Sequence, residues 1–195
     1  MAKIEKLVAA KRQLDAAIRM FFKNEDMLAI HTVSRAAFRV LFDLTKEGEA
    51  KKALETHIKK VGVQRFNEET NFLKHADQDP GAEIDENFHV FTEAGIGMAI
   101  GLCKYHDNKL SPEMASFLVW SQFMRPGLWD LSEESAKYIE EWRNASQTDP
   151  SKIENQEAIR MFGDAILHWS KLNWTKLTAT VPSGLSAERR ATPNA

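Results

Sequence analysis

The chain has 195 residues, 43% of them hydrophobic and 28% charged, which suits one globular domain and argues against disorder. Lys and Arg number 26 against 28 Asp and Glu, and a net charge of −2 gives no global pull toward nucleic acid or an anionic membrane. A single cysteine, Cys103, excludes an internal disulfide and any CxxC redox or metal motif; it falls in an apolar-periodic segment and reads as a small buried hydrophobe.

The first helix is expected over about residues 3–23, where Ile4, Leu7, Leu14, Ile18, Phe21 and Phe22 recur at helical spacing. Asn24-Glu25-Asp26 breaks it and supplies an N-cap for a second helix over 27–46. So short a link predicts an antiparallel hairpin. A polar segment, 49–60, follows and is punctuated by Gly62; helical spacing returns over 63–75. Asp77-Gln78-Asp79-Pro80-Gly81 is a loop, because Pro80 disfavours helix at Asp79 and Gly81 permits a turn.

A long helix is expected over 84–106, with Ala94, Gly95, Gly97, Ala99 and Gly101 allowing a neighbour to come close. Ser111-Pro112 opens the next helix as N-cap and first-turn proline, and Arg125-Pro126-Gly127 ends it. Further helices are expected over 132–143 and 151–172. The whole reads as an all-α bundle of six or seven helices, a single domain over 1–177 with a flexible tail over 178–195. The longest mostly apolar stretch, Ala94 to Cys103, is far shorter than the ~20 residues that span a bilayer. The N-terminus lacks the apolar core of a secretory signal, so the expected location is the cytoplasm with no membrane partner.

The densest polar cluster is Asn71-Phe72-Leu73-Lys74-His75-Ala76-Asp77. On a helix Asn71, Lys74, His75 and Gln78 share one stripe, with Asp77 and Asp79 just beyond it. A helix C-terminus favours a protonated imidazole, which suits acid–base work at His75, while Lys74 can hold a phosphate and Asn71 can orient either group. The competing reading is a solvated helix end. His31 shares a stripe with Met27, Ile30, Ser34, Ala37, Phe38 and Leu41 and points to the core or a cleft, with Arg35 four residues on. Were His31 to meet His75 beside Asp77, imidazole and carboxylate would suit a divalent metal, the one cofactor these residues suggest.

Weaker candidates read as structure. Glu86-Asn87-Phe88-His89 is one Glu-x-x-His unit where a di-metal bundle needs two, and Glu93 on the same face is expected to be solvated. Asp164 and His168 form an i, i+4 surface pair. The tryptophans, Trp120, Trp129, Trp142, Trp169 and Trp174, suit a core or an interface better than base stacking, since the basic density around them is low. No nucleophile elbow, Walker loop, zincin helix or zinc-finger spacing occurs.

The hairpin segments from Ala10 to Ile18 and from Ala29 to Ala37, with Ile30-His31-Thr32 and the later Asn-Phe-Leu-Lys-His-Ala-Asp run, resemble a group of uncharacterised bacterial helical proteins over about residues 5–125. More distantly the hairpin resembles that of HEPN domains, many of which are ribonucleases using an Arg and a His close together in sequence. Arg65 and His75, and Arg160 and His168, stand farther apart than that pattern requires. Three readings follow: an accessory or protein-interaction domain, favoured here; an RNA-processing module working through His75, Lys74 and Asn71; and a metal-binding module using His31, His75 and Asp77. The first implies a protein partner or a homo-oligomer joined along the small-residue helix or the Trp-rich region, and the second makes RNA the partner.

Overall fold

The computed structural model describes residues 3–74, 77, 80–84, 89–125, 137, 140–141 and 156–180. Among them are seven helices longer than one turn and no strand, the all-α class expected. We number them α1 (Lys6–Phe22), α2 (Met27–Leu44), α3 (Glu49–Val61), α4 (Val63–Lys74), α5 (His89–Asp107), α6 (Pro112–Met124) and α7 (Gln156–Thr180).

The opening hairpin is made by its link. Asn24 takes the left-handed conformation, φ 56°, and the Glu25 and Asn24 amides donate back to the Met20 and Phe21 carbonyls. That pair of bonds is a Schellman ending with Asn in place of the usual Gly. Two residues on, the Asp26 carboxylate caps α2 by accepting from the Ala29 amide at 3.0 Å. The turn also presents the Asn24 amide oxygen to Arg160 of α7, whose guanidinium lies 5.1 Å from the Phe21 ring centre. Ser111 caps α6 as its sequence predicts, accepting from the Met114 amide at 3.1 Å with Pro112 in the first turn.

The polar segment after Gly48 is a full helix, α3. Leu54, Ile58 and Val61 recur in it at helical spacing, with Glu, Ala and Lys as the helix formers between them. None of its described side chains is buried. Gly62 separates α3 from α4 at φ 96°, a conformation that a side chain would strain.

The core lies where α1 meets α2, α5, α6 and α7. Leu14, Ile18, Phe21, Phe22, Phe117 and Trp120 are all at most 2% exposed. Phe21 meets the Trp120 ring edge-on at 4.9 Å and Phe117 at 5.6 Å. Each such side chain contributes about 1.5–3 kcal/mol by its burial. Across this core α7 comes very close: a Cβ on Gly163 would fall 2.2 Å from the Phe22 ring, so glycine alone fits there. Glu113, 7% exposed, ties three helices together by accepting from Arg19 and Lys171, each at 2.9 Å. Burial would push its carboxyl up, but these two cations outweigh burial and hold it below the ordinary carboxylate range.

The small-residue helix is used within the chain. Gly95 and Ala99 are buried, and Gly95 passes under the Arg35 side chain of α2, whose Cδ would lie 3.7 Å from an added Cβ. Gly101 is exposed with open space beside it. Of the tryptophans, Trp120 is core, Trp174 is half-buried and Trp169 is 56% exposed; Trp129 and Trp142 lie outside the described residues. The last helix continues past the expected end at Leu172 to Thr180, into the segment read as tail. No described helix is long and apolar enough to cross a membrane.

Candidate functional site

The residues expected to act together are spread along α4 and its exit. Asn71 is exposed on α4, Lys74 is that helix's last residue, and Asp77 is exposed in the turn beyond. His75 lies outside the described residues, as do Gln78, Asp79 and Glu86. Among the described residues no three His, Cys, Asp or Glu side chains come together as a metal site. Cys103 is buried as expected, and burial pushes its thiol up to about 12, far from a nucleophile's range. Arg160 is buried and His168 exposed.

His31 does face inward, at 2% exposure. Helical spacing sets it and Arg35 on one face of α2, between α4 and α5. Its Nδ1 lies 3.0 Å from the Thr92 hydroxyl of α5, and its Nε2 lies 3.5 Å from the Thr70 hydroxyl of α4. Arg35 extends this chain. A guanidinium can only donate, and its Nε donates to the Thr70 oxygen at 3.3 Å. Thr70 thus accepts from Arg35 while it faces His31 Nε2. The histidine is neutral. Burial first, and the Arg35 charge second, lower the imidazole to about 4. His31 therefore works as a buried connector of three helices and is uncharged at neutral pH.

Arg35 does more than reach Thr70. Its Nη2 donates to the Phe66 carbonyl at 2.9 Å and to the Asn67 side-chain oxygen at 3.2 Å. Its guanidinium lies 4.0 Å from the Phe66 ring centre and 5.2 Å from that of Phe38. Arg35 thus joins α2 to α4 by charge-assisted bonds and by stacking.

A second buried charge corrects the sequence reading. Glu93 is expected on a solvated face but is 4% exposed. Arg125, the C-cap of α6, meets it in a fork, Nε to Oε2 at 3.0 Å and Nη2 to Oε1 at 3.4 Å. Burial raises the Glu93 carboxyl above its ordinary range and Arg125 only partly offsets it. One signal was available: from Val90 to Cys103 every residue but Glu93 is uncharged. A lone carboxylate in such a run calls for a buried partner.

Two clefts flank this seam, with α3 as a wall of both. The outer groove, about 720 Å³, runs between α2, α3 and α4. Phe38, Phe42, Ile58 and Phe66 make its floor, and Arg39, Lys59, Asn67 and Asn71 stand at its edges. Its described lining has three cations, Arg35, Arg39 and Lys59, against one carboxylate, Glu55. The inner cleft, about 420 Å³, lies between α3, α5 and α6 and reaches the Glu93–Arg125 pair. No protein-family model, no curated protein and no solved structure matches the chain, so the site rests on these residues alone.

Proposed function

We propose that this chain is a helical interaction module that receives an acidic amphipathic helix of another protein in the groove between α2, α3 and α4. The observation that carries this reading is the pairing of an aromatic floor with a cationic lining at that groove. An amphipathic helix lays its apolar side chains into such a floor while its polar face stays at the rim. Arg39 is 73% exposed at its side chain, and its partner Asp43 lies one turn on along the same helix, an arrangement that holds the cation only weakly. Asn71, in the last turn of α4, supplies amide hydrogen bonds from the groove's lining. One buried thiol and no disulfide chemistry suit a partner in the cytoplasm.

The test is fluorescence anisotropy with two labelled 20-residue amphipathic peptides of equal apolar face, one with a Glu-rich and one with a Lys-rich polar face. The wild type is expected to bind the acidic peptide at least about tenfold tighter, less so at high salt. In the Arg39→Glu/Lys59→Glu double variant the preference is expected to reverse. Equal binding of both peptides, a preference untouched by the double reversal, or displacement of the acidic peptide by a single-stranded RNA would overturn the reading, the last in favour of RNA.

A further inference from the structure

We propose that the inner cleft is a separate binding site for a small uncharged molecule with an apolar body and one hydrogen-bonding head. The cleft's volume of about 420 Å³ falls in the ~300–1,000 Å³ range of small-molecule sites. Its walls are Leu54 from α3, Ala94 and Met98 from α5 and Phe117 from α6. A thioether beside small residues adapts to the shape of what it contacts. A narrower extension, about 150 Å³, shares Ala94, Met98 and His57 with it and leads toward His31 and Arg35.

Charge decides the class of ligand. Besides His57, which is exposed on α3, the ionic groups among the described residues lining the cleft are Glu93 and Arg125, and they are paired to each other in a fork. Their formal charges cancel. An ionised ligand would give up its hydration and meet no unpaired opposite charge, which is a net loss. An uncharged head loses far less. A carbonyl can accept from an Arg125 N–H, and a hydroxyl can donate to a remaining lone pair of the Glu93 carboxylate.

The inference is independent of the protein groove, and the experiment keeps the two apart. The probe is Nile red, uncharged with one carbonyl, titrated into the full chain and followed by its blue-shifted emission. The anionic dye 8-anilinonaphthalene-1-sulfonate is the counterpart. Ala53→Trp, at an exposed position of α3, and Gly97→Leu on α5 each fill the inner cleft. Val63→Glu charges the edge of the outer groove, where Val63 is 55% exposed. The wild type and Val63→Glu are expected to bind one Nile red saturably, and both filled variants at least tenfold more weakly, with folded circular dichroism spectra. The sulfonate dye is expected to bind at least tenfold more weakly than Nile red. No saturable binding, binding retained in the well-folded Ala53→Trp, or equal binding of the anionic dye would overturn the inference. Loss of Nile red only in Val63→Glu would place the dye in the outer groove and would likewise overturn it, leaving the protein-docking reading standing.

Discussion

Arg125→Met is expected to lower folding stability by about 4 kcal/mol at pH 8, the cost of stranding a buried carboxylate. Glu93 has a side chain only 3% exposed, against 25% for Arg125, so removing the cation leaves a largely desolvated anion without its ion-pair partner. The pH dependence identifies the cause. Burial already raises the Glu93 carboxyl, and loss of Arg125 raises it further. A carboxyl raised in the folded state binds protons more tightly there than in the unfolded chain. Folding of the variant is therefore favoured as pH falls through that raised value, and the deficit narrows on going from pH 8 to pH 5. Glu93→Leu combined with Arg125→Met is expected to recover most of the loss, because a well-packed apolar pair needs no desolvated charge. Urea unfolding of the two single variants and the double one measures this. Additive losses, or a pH-independent deficit, would mean that the fork contributes nothing specific.

His31 is expected to make the protein sensitive to mild acid. Its imidazole falls to about 4 in the folded chain from an ordinary 6.5. Protons thus bind the unfolded chain more tightly between these values. The His31 contribution is full above about pH 6.5, is lost progressively as pH falls to about 4, and changes no further below that; the span corresponds to about 3 kcal/mol. Carboxylates titrate in part of the same range, so the comparison is with His31→Gln, whose amide can still reach Thr92 and Thr70. Stability of the wild type is expected to drop more steeply than that of His31→Gln between pH 6.5 and 4. Parallel profiles would show that His31 is not held neutral by its burial.

Local chemistry made much of the fold legible. The hairpin follows from Asn24 and Asp26, and the start of α6 from Ser111-Pro112, because in each case side chain and backbone settle the geometry within a few residues. Helix α3 escaped notice because its charged residues outnumber its apolar ones, although Leu54, Ile58 and Val61 at helical spacing were a readable signal; it walls two clefts with none of its described side chains buried. The inward direction of His31 was readable from its apolar neighbours on α2. Its partners were not, since Thr70 and Thr92 are 39 and 61 residues away in sequence and meet it only through packing. Glu93 shows the opposite error: its position near His89 suggested a polar face, whereas the uncharged run to Cys103 was the better guide. Asn71 was singled out to orient His75 or a phosphate held by Lys74, and it stands in the lining of the outer groove.

Amide hydrogen exchange of the full chain with and without the acidic amphipathic peptide tests the central claim most directly. Bound peptide should slow exchange in the groove-lining turns of α2 from Arg35 to Phe42, of α3 from Glu55 to Lys59 and of α4 from Val63 to Asn71, and leave α7 unchanged. Slowing confined to α7, where Met161, Trp169 and Leu172 are exposed, or no slowing at all at peptide saturation, would contradict it.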